Sequence, residues 1–158
     1  MSLNAASCAS SINSAIGSYI TTYPSGNFIS AFVSAYKTYS QAGVLSSGGG
    51  VAGSENDGIL TAFMNSFSSD TTETAFGQAL ADYWATCLLI PSGGAVSISN
   101  NASSKAAAFT AAVLASYSTS EVTPYYQQFI TNIENVAKTI QWTAVLPAPP
   151  FSRIETIN

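Results

Sequence analysis

The chain has no histidine and very little charge: of 158 residues, four are Lys or Arg and eight are Asp or Glu. Charged residues make up 8%, against roughly 25% in an ordinary soluble domain. The missing histidine removes the commonest general base, the commonest zinc ligand and every Ser–His or Cys–His nucleophile pair. The cations Lys37, Lys105, Lys138 and Arg153 stand far apart in sequence. Nucleic-acid binding needs clustered cations to neutralise phosphate, so no nucleic-acid partner is expected. Long apolar runs are also missing. The richest, residues 85–91, falls far short of the ~18 residues of a membrane span. The first eight residues lack the basic and apolar regions of a secretion signal, so neither a membrane span nor a targeting segment is expected.

Two cysteines, Cys8 and Cys87, are too few for a disulfide framework. They read as small buried apolar side chains, and a single bridge, within or between chains, is the alternative. Sequence does not supply the Cα separation that decides between them.

What is present is apolar and neutral polar. Hydrophobic residues make up 47% and aromatics 11%, enough to build a core in one domain of this size. The spacing is helical nearly throughout. Cys8, Ile12, Ala15, Ile16, Tyr19 and Ile20 share a stripe over residues 4–23, which Pro24 and Gly26 end. Phe28, Phe32, Ala35, Tyr36 and Tyr39 mark a second helix ending near Gly43, with Asn27 as its cap. Residues 43–54 are rich in Gly and Ser and predict a mobile loop. Ile59, Leu60, Phe63, Met64 and Phe67 predict a short third helix.

Asp70 and Glu73 are spaced as a capping box before the strongest helix, which carries Ala75, Phe76, Ala79, Leu80, Tyr83, Trp84, Cys87 and Leu88 up to Pro91. Residues 95–99 alternate apolar and polar, but a lone strand has no visible partner and is read as loop. A fifth, alanine-rich helix follows Asn101 or Ser103, with Phe109, Ala112, Val113 and Tyr117 on its face. A sixth carries Tyr125, Phe129, Ile130, Ile133, Val136, Ala137 and Ile140, with Pro124 in its first turn.

The pattern then changes. Pro147, Pro149 and Pro150 favour an extended segment without internal hydrogen bonds. Trp142, Val145, Leu146, Phe151 and Ile154 are too apolar for a solvated tail, so the segment is expected to lie on its own domain or on a neighbouring subunit. The fold expected is all-α: five or six helices over residues 1–141 with an extended, proline-containing C-terminal arm over 142–158.

No constellation for chemistry stands out, and no catalytic, cofactor or metal site is expected. Glu55, Asn56, Asp57 and Gly58 lack the ligand spacing and distal Glu of a calcium loop and read as a solvated helix start. Asp82 is in phase with Gln78 and Thr86, away from the Tyr83 and Trp84 stripe, and reads as a polar outer face rather than a buried acid. Gly48–Gly50 and Gly93–Gly94 lack the Lys-Ser/Thr ending of a phosphate loop.

The helix from Ala75, Phe76 and Gly77 through Gln78, Ala79, Leu80, Ala81, Asp82, Tyr83 and Trp84, the Pro91 loop and the segment 142–158 resemble, in texture, the small structural proteins of tailed-bacteriophage virions and contractile injection particles. That resemblance implies a compact domain whose terminal arm clasps the next subunit. It implies a location in the virion after synthesis in the host cytoplasm, with a cytoplasmic protein as the alternative. It carries over no functional residue. The expected partners are other copies of the chain and other structural proteins of the particle, with Trp142, Val145, Leu146, Phe151 and Ile154 at the interface. Deleting 142–158 is then expected to abolish assembly and spare the helices. A helical binding module, acting as adaptor, inhibitor or carrier of a small apolar ligand, is the alternative.

Overall fold

The structure, a computed structural model, describes residues 3–22, 28–52, 57–66, 72–90, 96–118, 122–145 and 152–158. Six helices lie among them: α1 (Ala5–Thr22), α2 (Phe28–Gln41), α3 (Asp57–Asn65), α4 (Glu73–Ala85), α5 (Ala106–Ala115) and α6 (Val122–Ala137). Short 3-10 turns flank α5 at Ala102–Lys105 and Ser116–Ser118. Five short strands join them: β1 (Gly50–Ala52), β2 (Leu88–Ile90), β3 (Val96–Asn100), β4 (Trp142–Val145) and β5 (Ser152–Glu155). The protein is therefore mostly helical, with β1 and β2 paired antiparallel and β3, β4 and β5 in a three-stranded antiparallel sheet.

The helix ends follow from their unpaired backbone groups. At the start of α1, the Asn4 side-chain oxygen accepts from the Ser7 N–H at 2.9 Å. Glu134, on α6, accepts from the Ala5 N–H at 3.1 Å and binds Lys138 at 2.9 Å. A carboxylate at a helix N-terminus is favoured by the dipole, and here it ties α1 to α6. The start of α4 is capped by Thr72, whose hydroxyl oxygen accepts from the Ala75 N–H at 3.3 Å; Asp70, expected as the cap, lies outside the described residues.

That helix ends at Ala85, well before Pro91, so Cys87 and Leu88 are not on its stripe. The Asn100 amide explains the early stop. It donates to the Trp84 and Ala85 carbonyls at 3.2 and 3.3 Å, and its oxygen accepts from the Ala102 N–H at 2.9 Å. One side chain closes α4 and opens the next turn.

The core is aromatic and aliphatic. Trp84, Trp142, Tyr36, Tyr83, Phe109, Leu45, Leu60, Leu80, Ile130, Ile133 and Ile140 have no solvent contact. Helices α4 and α5 cross at Gly77, where an added Cβ would lie 2.6 Å from the Thr110 nitrogen and 2.8 Å from the Ala106 oxygen. Only glycine permits that approach.

Residues 96–100 form a strand, not a loop, because β4 supplies the partner: Val96 faces Val145 and Asn100 faces Trp142. The described part of 142–158 lies on its own domain, one of the two settings expected for it. Trp142 faces Glu155 and Val145 faces Ser152 across β4 and β5, while Trp142 and Ile157 are buried in the core. Of the apolar side chains that ruled out a solvated tail, Trp142 is satisfied within the chain itself and Val145 is half-buried, while Ile154 is exposed. The prolines at 147, 149 and 150 lie outside the described residues.

The Gly/Ser stretch is pinned rather than mobile over residues 44–52. Leu45 bridges Ile157, the Ser46 N–H donates to the Thr156 carbonyl and the Asn158 N–H to the Val44 carbonyl, both at 2.9 Å. Leu45 and Val51 are buried.

Candidate functional site

The side chains with chemical potential are mostly locked into structure. In the core, the Trp84 indole N–H donates to the Tyr36 hydroxyl at 2.9 Å. The Ser40 hydroxyl lies 2.7 Å from that of Tyr83 and donates to the Lys37 carbonyl at 2.9 Å, so Tyr83 is the donor of that pair. Burial pushes the Tyr36, Tyr39 and Tyr83 phenols up, keeping them neutral at physiological pH. These hydroxyls serve as hydrogen-bonding pins in the buried core.

Cys8 and Cys87 are free and buried. Their thiols face the Ala35 and Tyr83 carbonyls at 3.8 and 3.5 Å. Burial pushes both up to about 12, so the nucleophilic thiolate is scarce at neutral pH. The two are not bridged to each other within the chain.

The carboxylates are likewise engaged. Glu155 is fully buried, where it accepts from the Ser47 hydroxyl and from Arg153, whose Nε lies 2.7 Å away. A buried carboxylate is tolerable only when paired in this way, and this one fastens β5 to the 44–47 turn. Asp82 accepts from the Gln78 amide at 2.8 Å on the exposed side of α4, the polar phase read from the sequence. Asp57 opens α3 and binds Lys37 at 2.6 Å in a groove of about 420 Å³ between α2 and α3, beside Ser34 and Thr61. Glu55 and Asn56 lie outside the described residues. Among the described residues, no three His, Cys, Asp or Glu side chains gather where they could hold a metal ion.

The surface carries the more informative features. Of the expected interface residues, Trp142 is core, Val145 is half-buried and Ile154 is 64% exposed; Leu146 and Phe151 lie outside the described residues. Of the three described, Trp142 is turned into the core, while Val145 and Ile154 fall on the other face of the sheet. Sequence reading missed other exposed apolar side chains: Leu88 and Ile90 on β2, and Leu114 at the end of α5. The apolar spacing puts Leu88 on the α4 stripe, and only the early end of that helix releases it. A groove of about 780 Å³ runs between α1 and α2, lined by small side chains including Ser7, Ser11, Ala31, Ala35 and Thr38. No described helix is long and apolar enough to cross a membrane.

Comparison of the chain with protein-family models, with curated proteins and with solved structures finds no match.

Proposed function

We propose that this chain is a non-enzymatic structural subunit of a virion or similar particle, at a tail, baseplate, neck or capsid surface, that assembles through its neutral outer faces. The observation that carries the reading is the small amount of free charge. Of four cations, Lys37, Lys138 and Arg153 are each tied to a carboxylate of the same chain. Among the described residues, what remains outside is Ser, Thr, Ala, Asn and Gln surface with Leu88, Ile90, Leu114 and Ile154 standing out of it. Surface charge is what ordinarily keeps a lone protein soluble and monomeric. A subunit covered by its neighbours does not need it.

The partners in this reading are further copies of the chain and other structural proteins of the particle. Symmetric repetition turns modest contacts into a stable assembly. Since Trp142 belongs to the core, contact through the C-terminal region falls to the exposed side of β5, where Ile154 stands. Electron microscopy of the native complex tests the reading: a closed ring, tube or shell with repeated copies of the chain supports it, and isolated single particles overturn it.

The α1–α2 groove favours a second reading, a helical module that binds a small partner. A carrier of this kind stays monomeric or dimeric and gains thermal stability with its ligand, whereas a particle subunit gains it on assembly.

A further inference from the structure

Helix α5 reads AAAFTAAVLA, apolar but for Thr110, whose hydroxyl donates to the Ala106 carbonyl at 3.0 Å, close to the composition of a helix covered all round. Only one side is covered. Phe109, Ala112 and Val113 are buried, and the helix packs on α4 and α6. Ala107, Ala108, Ala111, Leu114 and Ala115 are exposed, with Leu114 keeping 49% of its surface. At three- and four-residue spacing these five positions form one continuous stripe, and no charge interrupts it.

The two ends of the stripe carry opposite charge. Lys105 immediately precedes α5 and has no ion-pair partner among the described residues. A cation there is opposed by the positive end of its own helix dipole. At the other end, the Glu73 carboxylate accepts from the Tyr117 hydroxyl just past the last turn, and it too lacks a cation among the described residues.

We propose that this stripe is a two-fold contact, in which α5 packs antiparallel against α5 of a second copy with Ala111 at the axis. The inference rests on the reading of the chain as an assembling subunit and names one of its contacts. Charge complementarity selects a second copy as the occupant. Antiparallel packing brings the Lys105 end of each helix to the Glu73 end of the other, where the partner helix dipole is also negative. Such self-complementarity is what an isologous contact requires. The alanines let the two axes approach to ~8 Å, the near limit for helix pairs. Leu114 of each copy then lies over Ala108 of the other.

Single-cysteine cross-linking under oxidised glutathione tests the geometry, read on a non-reducing gel beside the native mass. Cys8 and Cys87 are buried and compete little. On the axis, Ala111→Cys places its two sulfurs within bridging range, so its covalent dimer is expected at ~10-fold or more the yield of the off-axis Ala107→Cys. Ala111→Glu, on the solvent side of the helix, is expected to keep the helical circular dichroism and lower the native mass. If wild type assembles while Ala111→Cys stays unlinked and Ala111→Glu keeps its mass, the α5 contact is overturned and the assembly reading stands. If wild type is monomeric at every concentration, both fall.

Discussion

The indoles of Trp84 and Trp142 meet edge to face, with ring centroids 6.3 Å apart and planes at 68°. Trp84 is on α4 and Trp142 on β4, so this contact ties the C-terminal segment to the centre of the helical body. Trp84 meets Tyr36 edge-on as well, at 6.4 Å, and donates a hydrogen bond to it. Residues far apart in sequence thus share one aromatic cluster. An aromatic side chain of this kind buries roughly 150–250 Å², a large part of the stability of any small domain.

Removing residues 142–158 is therefore expected to unfold the protein rather than merely prevent assembly. The truncation exposes Trp84, deletes Trp142 and Ile157 from the core, and strips β3 of its partner. Far-ultraviolet circular dichroism and thermal melting check this: loss of helical signal and of a cooperative transition is expected, and a wild-type melt contradicts it. Trp142→Ala is expected to cost ~3–5 kcal/mol. Trp142→Phe is expected to cost less, since it also removes a buried indole N–H that has no acceptor among the described residues.

Gly77 gives a sharper contrast. An alanine Cβ there meets backbone atoms of Thr110 and Ala106, so α4 and α5 must separate. Gly77→Ala is expected to destabilise by ~1–3 kcal/mol, the usual range for overpacking. Gly58, inside α3, has open space around its Cβ position, and Gly58→Ala is expected to be neutral or stabilising by up to ~1 kcal/mol. Chemical denaturation of the two variants measures the difference; equal effects would contradict the close helix crossing.

The thiols and phenols predict alkaline sensitivity. Cys8 and Cys87 rise from an ordinary 9.0 to about 12 in the folded state, and Tyr36, Tyr39 and Tyr83 are also held above their ordinary 10.0. Above pH 9 the unfolded chain has lost protons that the folded chain still holds. Stability is thus intact below pH 9 and falls as pH rises from 9 to about 12. Melting temperature against pH should be flat from neutrality to about 9 and then drop, as far as these groups set it. A disulfide-exchange reagent at pH 8 should label neither thiol until denaturant is added; rapid labelling of the native protein contradicts the buried, protonated state.

The helices were legible because their apolar residues recur at three and four. Phe32, Tyr36 and Tyr39 on α2, and Phe129, Ile130 and Ile133 on α6, are buried as their spacing predicts. The sheet was not. Its strands run three to five residues, and the alternation around Val96 had meaning only beside Trp142–Val145, a partner remote in sequence. Proline density and apolar content in the last residues pointed to an extended segment in contact with something, and the contact is the domain itself. Glu155 could not be picked out, because its burial depends on Ser47 and Arg153 converging on it in space. The α5 face was hidden for a related reason: alanine satisfies a buried or an exposed position equally, and only the fold tells which side is bare.

Sedimentation velocity of the purified full-length chain over a wide concentration range tests the central claim, that a chain with so little free charge lives within an assembly. The account predicts a species many times the 16.3 kDa of one chain, persisting on dilution or re-forming with concentration. A single soluble 16.3 kDa monomer at every concentration, with no tendency to associate, would contradict it.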